Sequence, residues 1–265
     1  MRKLLIGLTY LTFAVLLIAP LVRIVIGAWE QGWQGLVDAL IRPEAVHALW
    51  MTFLIVAIFT VINTGFGVML ALYLVRAEWM TLRVKQFFNS LVDLPFAVSP
   101  VIGGLMIVLL IGPETLLGAF FEDAGVKIVY ALPGMIAATL FVTFPLMVRE
   151  IMPVLQEIGT QQEEAAATLG SNRWHTFWHV TWPSIQWGVI YGVVLTVARS
   201  MGEFGAVLVV SGNIMNKTQT ATTLVYQDVE NFNIVAANGV ALVLATVSVG
   251  LLLLMEWSKK RKEVH

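Results

Sequence analysis

The chain contains no cysteine, and only 12% of its residues are charged. The first absence excludes disulfides, thiol nucleophiles and thiolate-held metals. The second excludes an ordinary soluble domain, in which about a quarter of the residues carry charge. Nothing in the 265 residues matches G-x-x-x-x-G-K-[ST], so the chain lacks the loop by which P-loop proteins hold ATP. It also lacks H-E-x-x-H. His175 and His179 share a helical face, but they have neither a third ligand nor the glutamate of a zinc protease, and they read as interfacial residues. Charges within the apolar runs are too few for a proton relay, and a net charge of −1 carries no signal for nucleic acid. No internal repeat, low-complexity tract or linker interrupts the chain.

What is present is apolar surface, at 58% of residues. A bilayer span needs about 20 mostly apolar residues, and six stretches qualify: 4–25, 49–75, 87–111, 130–148, 185–210 and 234–257. Arg2-Lys3 and the run 4–22 look like the front of a signal peptide. The run is too long for one and no small-residue cleavage site follows, so it reads as a retained first span. Lysine and arginine set the orientation. With the N-terminus inside, eleven lie on the cytoplasmic side: Arg2, Lys3, Arg76, Arg83, Lys85, Arg149, Arg173, Lys259, Lys260, Arg261 and Lys262. Four lie outside: Arg23, Arg42, Lys127 and Lys217. Both termini are therefore expected in the cytoplasm. Trp29, Trp33 and Trp50 fit an interfacial belt. Asn63, Thr64, Gly65 and Gly67 are expected at a helix–helix contact, and the polar stretch 211–233 reads as an outer loop.

Between the fourth and fifth spans lies a polar island, Glu163-Glu164-Ala165-Ala166-Ala167-Thr168-Leu169-Gly170. Thr160 and Glu163 have capping-box spacing, which predicts a helix from Gln161. Three alanines favour it and Gly170 is placed to end it. At about 1.5 Å per residue it is too short to cross a bilayer. Ser171 can cap a second helix, which Pro183 ends or kinks. Small side chains on a short helix suit docking into a partner's groove; an ordinary amphipathic loop helix has the same pattern.

Two spans are irregular. Pro95 and Pro100 stand five apart, between Asp93 and the pair Gly103-Gly104. Each proline removes a backbone donor, and carbonyls freed at membrane depth need protein or a wet cavity. Asp93 either lines such a cavity or is simply solvated near the cytoplasmic surface. In the fifth span Arg199 and Glu203 are four apart. A charge at mid-bilayer costs roughly 2.5–3.5 kcal/mol on insertion scales, so the two are expected to pair. The pair either ties helices together or lines a gate.

Glu164-Ala165-Ala166, three residues, Gly170, nine residues and then Val180-Thr181-Trp182-Pro183 resembles the EAA loop of ABC-importer permeases. Two more stretches resemble the sulfate/thiosulfate branch of that family: 93–101 (DLPFAVSPV), and 198–207 (ARSMGEFGAV) continuing to Val210-Ser211-Gly212-Asn213. The second is shared in part with molybdate permeases. Within the branch the likeness is to the W-type permease subunit.

The resemblance implies an all-α integral membrane protein of the type I importer (MetI-like) fold, with about six transmembrane helices. It implies an N-terminal helix and outer loop at 1–48, a permease domain at 49–257 with the coupling loop at about 157–183, and a basic tail at 258–265. The chain would not be an enzyme itself. ATP and Mg would be bound by two partner ATPase subunits, beside a T-type second permease and a periplasmic sulfate-binding protein, in a bacterial inner membrane. Glu163, Glu164, Ala165, Ala166, Leu169 and Gly170 would form the helix seated on the ATPase. Asp93, Pro95, Ser99, Pro100, Arg199, Glu203, Ser211 and Gly212 are the candidates for the pathway or gate. Among these, hydroxyls and backbone N–H groups at Ser99, Ser211 and Gly212 suit an anion that must be released. Molybdate or tungstate import is the alternative, and an ion-driven secondary transporter a more distant one.

Overall fold

The computed structural model describes residues 2–77 and 80–263, with side chains over 5–77 and 80–257. Among these residues it is helix and turn, with no strand. Helix α1 (Arg2–Phe13) runs through a π-turn (Ala14–Ile18) into α2 (Ala19–Ala28), and α3 (Gly32–Ile41) follows. Next come α4 (Pro43–Arg76), α5 (Leu82–Ala97), α6 (Pro100–Ile111) and α7 (Leu116–Asp123). Then α8 (Leu132–Ile158) leads to the short α9 (Gln161–Thr168). Helix α10 (Arg173–Thr176) passes through a second π-turn (Phe177–Thr181) into α11 (Trp182–Met201). The chain closes with α12 (Gly205–Ser211), α13 (Ala221–Glu230) and α14 (Ile234–Glu263). The basic tail expected at 258–265 falls outside the residues with described side chains.

Among the described residues, five helices are long and apolar enough to cross a membrane: Leu5–Ala28, Pro43–Arg76, Leu132–Ile158, Arg173–Met201 and Ile234–Trp257. A sixth crossing is counted only if α5 and α6 form one, and they meet at 110°. The expected third span is therefore broken rather than kinked. Pro95 lies inside α5 and Pro100 opens α6, so the chain is extended at Val98 and Ser99 between them. The expected fifth span, 185–210, is also redrawn. The helix starts at Arg173 and stops at Met201, and 205–211 is the separate α12. Pro183 does not end it, because the π-turn just before it widens the helix where the ring would meet the preceding carbonyl. The stretch expected as an outer loop at 211–233 contains α13, whose first turn Thr220 and Thr223 cap reciprocally.

The chain divides into two compact units, 1–52 with 213–247 and 53–212 with 248–265. In the first, Ala45 and Ala48 of α4 pack on Ala221 and Leu224 of α13 and on Val240 and Leu244 of α14. There Arg42 Nη1 donates to buried Asp228 Oδ1 at 3.0 Å, and its Nη2 bonds Oδ2.

In the second, α8 is the central helix, with α4, α5 and α11 around it. Met147 is held between two glycines. A Cβ at Gly67 of α4 would lie 2.6 Å from its Cγ, and one at Gly192 of α11 would lie 2.7 Å from its Sδ. Asn63, one turn before Gly67, faces inward too, whereas Gly65 is exposed with nothing within 4 Å. The contact expected of all four small and polar residues is thus made by one face only.

Helix α12 lies on α6 and α8 around Ala138, Val142, Ala206 and Val210. Its closest approach is at Gly104, where a Cβ would meet the Ala206 carbonyl oxygen at 2.6 Å and its Cα at 3.0 Å. Backbone atoms cannot swing aside as a side chain can. Gly104→Val is therefore expected to destabilise the protein by about 1–3 kcal/mol, read as a lower thermal midpoint in detergent. Gly65→Ala, made as the control, should leave it unchanged or raise it slightly, because alanine favours helix over glycine.

Candidate coupling and pathway sites

Helix α9 begins at Gln161, as the sequence predicts, but not by the predicted capping box. Thr160 makes no side-chain cap bond. The turn from α8 is made by Gly159 at φ +67° and ψ −163°, a conformation open essentially to glycine. At the other end Gly170 has φ +84°. Its N–H donates to Ala167 O at 3.0 Å, and Ser171 N–H donates to Ala166 O at 3.0 Å. These two bonds are a Schellman stop, which satisfies carbonyls the helix would leave bare. The next helix is capped by Asn172, whose side chain accepts from His175 N–H at 2.7 Å, and not by Ser171. The result is a rod with a left-handed glycine at each end. Glu164, Ala165 and Leu169 lie on its exposed side and Ala166 is half-buried. Leu169 is 88% exposed.

Glu163 faces the other way. Its Oε2 lies 3.0 Å from Arg76 Nε, and its Oε1 accepts from Arg76 Nη2 at 3.3 Å and from Thr181 Oγ1 at 2.8 Å. Arg76 ends α4, and Thr181 ends the π-turn that leads into α11. The same guanidinium donates to Leu155 O at 3.3 Å and Gly159 O at 2.6 Å. Leu155 and Gly159 belong to the last turn of α8, whose free carbonyls attract a cation. Arg76, Glu163 and Thr181 also line a cavity of about 620 Å³, with Tyr73, Arg173 and Phe177 among its other walls.

The pathway candidates separate into three places. Ser99, Pro100, Arg199 and Glu203 gather where the two broken spans meet, since a Cβ at Gly205 would lie 3.3 Å from Pro100 Cβ and 3.0 Å from Val101 Cγ2. The Ser99 hydroxyl is exposed there. Arg199 Nη1 donates to Glu203 Oε2 at 3.1 Å, with the arginine side chain 43% exposed and the glutamate 2%. Glu203 Oε1 accepts the Ala206 N–H at 3.1 Å, so the carboxylate also caps α12. The pair thus spans the gap between two helices rather than lying along one, as the i,i+4 spacing predicts. Asp93 is elsewhere: Arg149 Nε donates to its Oδ1 at 2.8 Å and Nη2 bonds its Oδ2, joining α5 to α8. Pro95, two residues on, is buried. Ser211 and Gly212 close the far end of α12. Ser211 is fully buried, and a Cβ at Gly212 would lie 2.7 Å from the Tyr130 ring.

The model of the binding-protein-dependent transport system inner membrane component family matches residues 63–263. The chain belongs to this family. Among curated relatives of this permease, the "Sulfate transport system permease protein CysW" of Synechocystis sp. is 42% identical over 100% of the chain and 95% of its own length. "Sulfate permease 2, chloroplastic" of Chlamydomonas reinhardtii is 40% identical over 99% of this chain and 69% of its own. The "Sulfate transport system permease protein CysT" of Escherichia coli K12 is 31% identical over 93% and 88%. A bacterial ABC transporter that imports alginate superposes with a TM-score of 0.80 at 16% identity, over 98% of this chain and 95% of its own, and so shows the shared fold. The permease is thus a multi-pass inner-membrane component of a binding-protein-dependent importer, and not itself an enzyme.

Three residues central to these sites escape a reading of the permease sequence. Arg76 and Arg149 read only as topology-setting charges, and Thr181 only as part of a motif. No local pattern marks them, because Arg76 meets Glu163 from 87 positions away and Arg149 meets Asp93 from 56. What a sequence does offer is the bare fact of an arginine at the end of a span.

Proposed function

We propose that this permease is one of two membrane subunits of an ATP-driven importer for sulfate. Importer coupling is carried by α9, a glycine-bracketed rod outside the apolar spans with a small, exposed outer face. Identity of 31–42% to sulfate permeases over most of the chain supports the cargo. The partners are two ATPase subunits that bind ATP and Mg, and a periplasmic binding protein that delivers the anion. Permeases named as both the W and the T type match this chain, at 37% and 31%, within one strain of Escherichia coli, which supports a mixed pair. Both termini lie in the cytoplasm, as the lysine and arginine count requires.

In this reading, closure of the ATPases displaces α9, and the spans move as rigid bodies to open the pathway outward. The anion passes near the broken third and fifth spans. There Arg199 offers guanidinium N–H groups that Glu203 does not use, and Ser99 offers a hydroxyl. A cation already half-neutralised by a buried carboxylate holds a dianion weakly enough to let it leave.

The test is uptake of labelled sulfate into proteoliposomes holding the assembled complex and loaded binding protein. ATP-dependent uptake, competed by thiosulfate, is the expected result. Preference for molybdate would overturn the cargo, and uptake driven by an ion gradient without ATP would overturn the importer.

A further inference from the structure

We infer that the Arg76 guanidinium is the joint through which movement of α9 reaches the spans. This rests on the importer reading and adds the positioning residues that reading lacks. Glycines of positive φ bracket α9, so the chain turns at both its ends and the rod does not run on as one helix with a span. Movement of the rod is therefore passed to the spans most directly by a side chain that bonds both. Glu163 supplies that tie, because its carboxylate is bonded to α4 through Arg76 and to the start of α11 through Thr181. Arg76 in turn holds the last turn of α8 through two carbonyls. Helix α4, the end of α8 and the rod therefore meet at the guanidinium, and α11 joins them through the Glu163 carboxylate.

The chemistry suits the task. A guanidinium presents five donors in a fixed plane, so several partners held at once fix one another's angles, which an ammonium cannot do. Glu163 and Arg76 are both mostly shielded, which limits screening of the pair. The outer side of the same helix carries Glu164, Ala165 and Leu169 and remains free for the ATPase. One helix thus grips its motor on one side and its load on the other.

The experiment compares sulfate imported per ATP hydrolysed by reconstituted complexes carrying Glu163→Gln, Arg76→Gln, both together, or Thr181→Val. The expected complexes assemble and hydrolyse ATP, but the ratio falls roughly 10- to 100-fold in either glutamine variant, the scale of a lost charge-assisted hydrogen bond. The double variant falls no further than Arg76→Gln alone, since that change already cuts the bond to Glu163 along with those to the two carbonyls, and Thr181→Val falls less. A merely structural role would lower transport and hydrolysis together and leave their ratio unchanged. Should Arg76→Gln fail to insert, Glu163→Gln and Thr181→Val decide the matter, because they leave the guanidinium its two carbonyls.

A second readout does not depend on cargo. The chain has no native cysteine, so Ser99→Cys is its single thiol and label is read on this subunit after separation from the others. Its maleimide labelling should change with nucleotide in the otherwise wild-type complex and lose that dependence with Glu163→Gln. An unchanged ratio in Glu163→Gln, additive losses in the double variant, or nucleotide-dependent labelling that survives Glu163→Gln would each overturn the joint. A wild-type complex that imports no sulfate yet shows the labelling change overturns the cargo and leaves the joint standing.

Discussion

Replacing Arg199 by alanine is expected to destabilise the protein by about 1.5–3 kcal/mol, the scale of one charge-assisted hydrogen bond to a buried carboxylate. Glu203 is 2% exposed and loses its cationic partner, while the Ala206 amide remains. Glu203→Gln should be milder, by about 1 kcal/mol. Its amide oxygen can still accept from Ala206, and Arg199, at 43% exposure, can turn its head toward water. Combining the two substitutions should restore most of the stability, because the buried side chain that Arg199 faced is then neutral. Thermal inactivation in detergent orders the three variants. If Glu203→Gln proves the most damaging, unequal burial does not control the pair. Transport then separates the two roles left open by the sequence. A tie between helices predicts that uptake returns with stability in the double variant. A cation lining the pathway predicts uptake roughly tenfold below wild type even there, the scale of one charge-assisted bond to the passing anion, and that is the expected result.

That test is needed because the sequence marks Arg199 and Glu203 but not what they join. Their spacing alone implies a bond along one helix, and the chain instead breaks at 202–204. The two prolines of the third span show that it cannot be regular, yet the 110° turn depends on α6 packing against α12 through Gly104 and Gly205. Pro183 read as an end or a kink because a proline within a regular helix meets the carbonyl one turn back, and the π-turn that avoids this has no pattern of its own. In each case the local signal was right about irregularity. The outcome was set by a neighbour far along the chain.

The coupling loop was more legible, because its rod is built by neighbours in sequence. Gln161 as first residue was read from capping-box spacing and is right although the box is not made, while the alanines and Gly170 as terminator follow from propensity and left-handed backbone, which a short window contains. Glu163 is the instructive exception. Its spacing from Thr160 fits a cap, worth about 1 kcal/mol, and an arginine brought in by the fold offers a charged pair instead. The carboxylate takes the stronger partner. That choice leaves α9 attached to the spans rather than self-contained, so a motif read as secondary structure turned out to be a tertiary contact.

Leu169→Glu is expected to abolish assembly with the ATPase while leaving the permease itself intact. A single exposed leucine is unremarkable on a soluble surface. This one is 88% exposed at the end of a rod whose outer side also carries Glu164 and Ala165, outside any apolar span. It therefore protrudes beside a flat alanine surface that a partner backbone can approach closely. Burying the side chain is worth about 1.5–3 kcal/mol, and the substituted carboxylate adds a desolvation cost. Together they weaken association by about 2–4 kcal/mol, or roughly 30- to 1000-fold in Kd. Leu169→Ala, which only truncates, should lose about tenfold. Co-purification with the ATPase reads the effect, and unchanged membrane insertion with an unchanged thermal midpoint shows that the permease is whole. Ala165→Cys adds the side of the membrane. A membrane-impermeant maleimide should reach it from the cytoplasmic face only, and bound ATPase should protect it. Labelling from the outer face would refute the coupling role, whatever Leu169→Glu does. The contrast with Glu163→Gln is the sharper point. Losing the outer face of α9 costs the motor, losing the inner face costs the work it delivers, and only a helix that stands between the two gives both results.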